Sequence, residues 1–215
     1  AILKQEIDHL CELGVSVVQF DEPVLTEVIF SHHQTRSFMC AALSEKQDFA
    51  AELQFAKSLI TQIFEYARNK NIKTALHVCR GNWSKDESVL LRGPYTSLVD
   101  LFESALPDIL MLEFSTPRAG ELSSLLESEI LRQKCILGLG VINPRSDEVE
   151  TVDQIVQRAE KALNYLPPEQ IWLNPDCGFA TFSNRPLNGF DIIEAKLKVL
   201  NEAKSILRER YVSRT

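Results

Sequence analysis

A short apolar run at residues 73–79, KTALHVC, ends in two residue types that bind soft metal ions. Its length and composition predict a β-strand. Side chains alternate across a strand, so His77 and Cys79 share one face and could hold one ion. The polar residues that follow from Arg80 predict a loop, which places the pair at the carboxyl end of the strand.

Strands and helices alternate on both sides of this stretch. The predicted strands cover residues 15–20, 73–79, 109–114, 135–142 and 171–174. The predicted helices cover residues 2–13, 45–69 (capped by Ser44), 98–104, 120–131, 148–163 and 191–210, with a long polar connection over residues 81–96. This order predicts an α/β fold with a parallel sheet and right-handed crossovers.

Five strands do not close a barrel. The chain is therefore either an open doubly wound sheet or the C-terminal portion of an eight-stranded (β/α)8 TIM barrel. Its first residue is Ala1, and a helical pattern begins at once. We therefore expect further residues upstream. No repeat or linker divides residues 1–215, which predicts a single domain.

Composition restricts the class of protein. Hydrophobic residues make up 45% and charged residues 25% of the 215 residues, which predicts one sizeable core or part of a larger one. The net charge of -7 argues against a nucleic-acid partner. No apolar run is long enough for a bilayer and no signal peptide is evident, so we expect no membrane partner and a cytoplasmic location.

The cysteines do not form a disulfide pattern. They are Cys11, Cys40, Cys79, Cys135 and Cys177. Their odd number and irregular spacing favour a reducing compartment. Cys11, Cys40 and Cys135 are predicted to be structural.

Polar residues cluster where the predicted strands end. They are Asp21 and Glu22, His77 and Cys79, Glu113, and Asp176 and Cys177. Sites in parallel α/β folds lie at these carboxyl ends. His77, Cys79, Glu113 and Cys177 together offer one nitrogen, two thiolates and one carboxylate, which suits Zn2+. The alternative is that Glu113 and Cys177 only cap strands, with Glu113 paired to Arg118 or Arg80.

A thiolate-rich zinc site suits a particular chemistry. Two thiolates donate charge to the metal, which favours holding a substrate thiol as thiolate over activating water. This points to alkyl transfer onto sulfur. Hydrolysis would need a base beside an activated water. Glu22 or Asp176 could supply it, so both reactions remain open.

Several motifs resemble one known family. They are residues 18–23 (VQFDEP), 77–79 (HVC), 112–115 (LEFS), 138–141 (GLGV) and 172–178 (WLNPDCG). In this order, over nearly the whole chain, they resemble the C-terminal catalytic domain of cobalamin-independent methionine synthase, of the short single-barrel type. The resemblance implies a (β/α)8 barrel, with this chain supplying strands four to eight. It also implies His77, Cys79, Glu113 and Cys177 as zinc ligands.

The resemblance further implies a reaction. A zinc-dependent methyltransferase would move a methyl group from 5-methyltetrahydrofolate to the thiol of homocysteine, giving methionine. Asp21 matches the acid that binds the amino group of homocysteine, and its alternative is a strand-end cap. Glu27 falls where the family has a folate-contacting glutamate, and its alternative is a solvated loop charge.

One position departs from the family pattern. The histidine that donates a proton in the family falls at Arg145, and arginine stays protonated. Arg145 could instead bind a carboxylate or phosphate, or be a solvated loop residue. Two alternative functions follow: alkyl transfer to another small thiol (coenzyme M type), and a non-catalytic zinc- or thiol-binding paralogue. A metal-free α/β enzyme would place His77 and Cys177 far apart.

Overall fold

A computed structural model describes residues 1–30, 48–180, 182, 184 and 186–212. Within them, five strands form one parallel sheet in chain order. They are β1 (Val17–Glu22), β2 (Lys73–Val78), β3 (Ile109–Glu113), β4 (Ile136–Ile142) and β5 (Ile171–Pro175). The five predicted strands and their parallel order are confirmed, with small shifts at the strand ends.

Helices connect the strands. They are α1 (Ile2–Glu12), α2 (Leu25–Phe30), α3 (Phe49–Arg68), α4 (Val99–Ala105), α5 (Ser123–Leu126), α6 (Glu129–Lys134), α7 (Val152–Leu163) and α8 (Phe190–Tyr211). None of these helices is long and apolar enough to cross a membrane. The short helix α2 was not predicted, because it follows β1 almost directly and carries no long apolar repeat.

Two helices begin about four residues later than the sequence predicts. Helix α3 begins at Phe49 because the Asp48 side chain accepts two backbone hydrogen bonds from its first turn, at 3.0 and 3.1 Å. The predicted cap Ser44 lies outside the described residues, as does Cys40. Helix α7 begins after Thr151, which caps the helix through a capping box. Glu150 lies before the helix, and its side chain accepts the Asn143 backbone N–H at 2.7 Å.

The prediction of one helix over residues 120–131 is wrong. The structure has two short helices, α5 and α6, and Ser128 separates them. Its backbone is extended, and its hydroxyl accepts the Leu131 backbone N–H at 3.2 Å. A side chain that caps a new first turn ends the continuous helix that apolar spacing alone suggests.

The main core lies between the sheet and its helices. Leu76, Leu110 and Leu139 of the strands belong to one buried cluster with Phe64 and Phe102 of the helices. The opposite sheet face carries His77, whose register partner on β3 is Met111. Because side chains alternate, this second face holds the candidate site.

The described cysteines are free thiols. Cys135 is buried, as predicted, and donates to the Pro107 carbonyl at 3.0 Å. Cys11 is only partly buried and packs against a second, smaller apolar cluster.

Gly140 allows β4 to pass beneath a buried carboxylate. A Cβ built at this position would lie 2.3 Å from Asp176 Oδ1 and 2.7 Å from the Leu112 carbonyl oxygen. Both neighbours are held by the sheet or by hydrogen bonds, so neither can move away easily. Glycine is therefore needed here for close approach.

We expect Gly140→Ala to lower the free energy of unfolding by about 1–3 kcal/mol, because the added methyl group overpacks this contact. Urea denaturation followed by circular dichroism measures it. Gly178→Ala is the matched control, since a Cβ there meets nothing within 4 Å. Equal stability of the two variants would show that the close approach at Gly140 is not restrictive.

Candidate metal centre

Four side chains meet at the carboxyl ends of β2, β3 and β5. They are His77, Cys79, Glu113 and Cys177, and one ligand atom from each lies within 4.8 Å of the others. This group could hold a metal ion. The alternative in which His77 and Cys177 lie far apart is wrong.

The His77 ring is oriented as a ligand. Its Nδ1 lies 3.0 Å from the Met111 carbonyl oxygen, which can only accept, so Nδ1 carries the proton. In the neutral ring Nε2 then has a free lone pair, and among the described residues it is buried without a hydrogen-bond partner. A histidine fixed by one nitrogen, with the other unsatisfied and directed at acidic groups, fits metal coordination.

The two site cysteines form a close thiol pair. Their Sγ atoms are 3.9 Å apart, and the Gly81 backbone N–H donates to Cys79 Sγ at 3.2 Å. The hydrogen bond between the thiols lowers the pKa of Cys177, although burial opposes this, and raises the pKa of Cys79. One sulfur of the pair is thus favoured as a thiolate, the form that binds metals.

The site attracts positive charge. Burial alone would lower the pKa of His77, but the neighbouring Cys79 sulfur, the Met111 carbonyl and Glu113 raise that pKa to about 9. The same negative groups that stabilise a proton on the ring would stabilise a cation between these side chains. Metal binding would release that proton.

Glu113 is both a candidate ligand and an ion-pair partner. Its carboxylate is 1% exposed. Oε1 accepts the Arg80 backbone N–H at 2.9 Å, and Oε2 accepts from Arg118 Nη2 at 3.2 Å. The pairing of Glu113 with Arg118, given above as the alternative to a metal site, therefore exists alongside its position among the other three candidate ligands.

Asp176 holds two strand ends together. Its Oδ1 accepts the backbone N–H groups of Phe114 and Ser115 at 3.1 and 2.9 Å, and Oδ2 accepts from the Ser115 hydroxyl and from Arg145 Nη2 at 3.1 Å. Burial raises its pKa to about 6, with Glu113 adding to the rise and Arg145 opposing it. All four acceptor positions are in use, so Asp176 is poorly placed to act as a hydrolytic base.

Arg145 is not a solvated loop residue, contrary to one of the alternatives above. It is 1% exposed, and its Nη2 lies 3.1 Å from Asp176 Oδ2 and 3.5 Å from Glu113 Oε2. Burial opposes its charge, but the carboxylates around it outweigh burial and raise its pKa. The carboxylates that Arg145 binds belong to the protein itself.

With this geometry in place, comparison with known proteins is informative. A family model described as the cobalamin-independent synthase catalytic domain matches residues 1–188. The chain belongs to this family. Two relatives named methionine synthase are those of Saccharolobus solfataricus, 26% identical over 96% of this chain and 49% of its own length, and of Sulfolobus acidocaldarius, 30% identical over 82% and 40%.

The chain thus spans about half the length of the curated relatives that it matches. One solved structure, a B12-independent methionine synthase from Shewanella sp. W3-18-1 in complex with selenomethionine, superposes with a TM-score of 0.69 at 21% identity. The match covers 97% of this chain and 53% of that one. At this identity the likeness supports the fold alone.

Two further predicted residues of this cobalamin-independent synthase domain lie near β1. Asp21 is the register partner of His77, is exposed, and accepts a hydrogen bond from Gln19 Nε2 at 2.7 Å. Glu27 lies in α2 and is 6% exposed, so the interpretation as a solvated loop charge is wrong. Their roles in substrate binding remain predictions.

Sequence reasoning missed Tyr95. Its hydroxyl accepts the Glu113 backbone N–H at 3.1 Å and donates to the Val78 carbonyl at 3.2 Å, so it links β2 to β3 behind the site. The Arg80 guanidinium lies over its ring, 4.0 Å from the centroid. Tyr95 follows an irregular connection, and no local pattern relates it to the strand ends.

We expect Asp176→Ala to lower the free energy of unfolding by about 3–5 kcal/mol, because it leaves Arg145 buried without its closest partner. Thermal or urea unfolding measures this. Asp100→Ala is the control, since Asp100 pairs with Lys57 at the surface and its side chain is 82% exposed. That variant should behave like the wild type. A small loss at Asp176 would mean that the buried network does not stabilise the fold.

Proposed function

We propose that this chain is the zinc-binding part of a methyltransferase that methylates the thiol of homocysteine. The observation that carries the proposal is the cluster of His77, Cys79, Glu113 and Cys177, in a family whose relatives bear the name methionine synthase. One imidazole nitrogen, two thiolates and one carboxylate suit zinc better than magnesium or calcium, which prefer oxygen ligands alone. Zn2+ is therefore the cofactor that we propose.

The proposed architecture is a (β/α)8 barrel, in which residues 1–215 form the C-terminal portion with strands four to eight. Three findings support it: the unbroken parallel strand order, the likeness to the Shewanella fold, and the site at the carboxyl ends of the strands. Trp172 of β5 is 44% exposed, although bulky residues in barrel strands are normally enclosed. Further strands would cover it.

A bound zinc ion would act as a Lewis acid that favours the thiolate form of the substrate sulfur. Residues of this chain would orient the metal ligands and bind the substrates. The Met111 carbonyl fixes the His77 ring. Asp21, on the strand next to His77, would orient the substrate ammonium group through a charge-assisted hydrogen bond. Glu27 would contact the methyl donor.

In the transfer itself, the substrate sulfur attacks the methyl carbon in line. The sulfur–carbon bond forms, the bond from that carbon to the folate nitrogen breaks, and the nitrogen takes a proton. Arg145 occupies the position of the family proton donor, but its charge is stabilised by two carboxylates. It is a poor acid, so the proton would come from solvent.

Because Arg145 is paired with carboxylates and is a poor proton donor, a second candidate function remains. Alkyl transfer to another small thiol, of the coenzyme M type, would use the same metal ligands with a different donor. A zinc- or thiol-binding paralogue without turnover would also retain them. Methionine formation from homocysteine and 5-methyltetrahydrofolate distinguishes the first function from both alternatives.

We expect the purified protein to contain about one zinc ion per chain, and Cys177→Ala to lose most of it, because a thiolate ligand is removed. Metal analysis by mass spectrometry measures this. Cys11→Ala should retain its zinc, since Cys11 lies in a separate apolar cluster. Full zinc occupancy in Cys177→Ala would refute the ligand assignment.

We also expect Asp21→Asn to raise the KM for homocysteine by about 10-fold or more, because a hydrogen bond between charged groups is lost. Zinc content should not change. Asp100→Asn serves as a control, since Asp100 pairs with Lys57 at the surface. An unchanged KM in Asp21→Asn would remove Asp21 from the substrate site and leave the metal site untouched.

A further inference from the structure

Two buried arginines from different strand ends converge on one oxygen of Glu113. Arg118 follows β3 and places Nη2 at 3.2 Å from Oε2, while Arg145 follows β4 and places Nη2 at 3.5 Å from the same atom. Their side chains are 3% and 0% exposed. The same two guanidinium groups also lie within 4 Å of Glu87, and Arg145 pairs with Asp176, so Glu113 is held within a buried network of opposite charges.

The hydrogen bonds leave one part of Glu113 available. An ionised carboxylate has about four acceptor positions. Arg118 donates a hydrogen bond to Oε2 at 3.2 Å, Arg145 is an ion-pair partner of the same oxygen at 3.5 Å, and the Arg80 backbone N–H occupies one position on Oε1 at 2.9 Å. Among the described residues, Oε1 has no side-chain cation as a partner, so it is the oxygen that is open to a metal ion. A cation bound by this group would meet a carboxylate that is already fixed in orientation.

Arg145 also contacts the segments that carry the two cysteines. The same Nη2 donates to Asp176 Oδ2, directly before Cys177. Nη1 donates to the Gly81 carbonyl and to Asn82 Oδ1, both at 3.4 Å, in the loop after Cys79. One guanidinium thus touches the chain beside three of the four candidate ligands.

We propose that Arg118 and Arg145 are positioning residues of the metal site, which hold Glu113 by Oε2 and direct Oε1 towards the cation. This inference rests on the proposed function for the identity of the metal.

The first test measures zinc affinity by competition with a chromophoric chelator. We expect Arg145→Gln and Arg118→Gln to bind zinc about 10- to 100-fold more weakly than the wild type, as is usual when a partner of a metal ligand is lost. Arg145→Lys should recover part of the affinity because its ammonium group can still donate to the carboxylates. Arg68→Gln is the control, since the partners of Arg68 in the described part of the chain are the Ala105 and Leu106 carbonyls, away from the candidate ligands.

A double-mutant cycle distinguishes positioning from general support of the fold. If Arg145 acts through the carboxylate, then Arg145→Gln should weaken zinc binding in the wild type and have little further effect in Glu113→Gln. A purely structural role would weaken binding equally in both backgrounds. In Co2+-loaded protein, the visible absorption of wild type should shift in Arg145→Gln and remain unchanged in Arg68→Gln.

The outcomes are separable. A folded Arg145→Gln variant with wild-type zinc affinity, or equal losses in both backgrounds, would overturn this inference and leave the proposed function standing. A wild-type protein that binds no zinc would overturn both. If Arg145→Gln does not fold, Arg118→Gln and Arg145→Lys provide the same comparison with less disruption of the Asp176 contact.

Discussion

The site depends on how the Asp176 carboxylate ties the end of β5 to the end of β3. It accepts hydrogen bonds from two backbone N–H groups and the hydroxyl just beyond β3, across a strand where Gly140 leaves room for it. Because Cys177 is the next residue, the same bonds bring its sulfur to 3.9 Å from that of Cys79. A buried carboxylate is costly unless it is paired, which explains the adjacent Arg145.

Much of the fold follows from local sequence. Apolar runs of four to eight residues between helical patterns predict the strands, and strand alternation places His77 and Cys79 on one face. Glu113 and Cys177 could be added to the predicted metal ligands because the carboxyl ends of parallel strands lie at one edge of the sheet. Apolar spacing could not predict where a polar side chain binds a backbone N–H group and interrupts a helix, as Ser128 does.

The burial of Arg145 could not be read from the sequence either, since it depends on contacts distant along the chain. Lys196 of α8 pairs with Glu150 at 2.9 Å, and Asn188 donates to the Pro144 carbonyl at 2.6 Å. These contacts hold the loop that turns Arg145 inwards. From sequence alone, a polar loop that contains an arginine is predicted to be exposed to solvent, because the contacts made by Lys196 and Asn188 are not known. The family match likewise fixes the class of domain, whereas the substrate roles of Asp21 and Glu27 remain predictions.

The central claim is that these four side chains hold one zinc ion. X-ray absorption at the zinc edge of the loaded protein tests it most directly. We expect about two sulfur neighbours at ~2.3 Å and about two nitrogen or oxygen neighbours at ~2.0–2.1 Å. A shell of nitrogen and oxygen alone, or of four sulfurs, would contradict it.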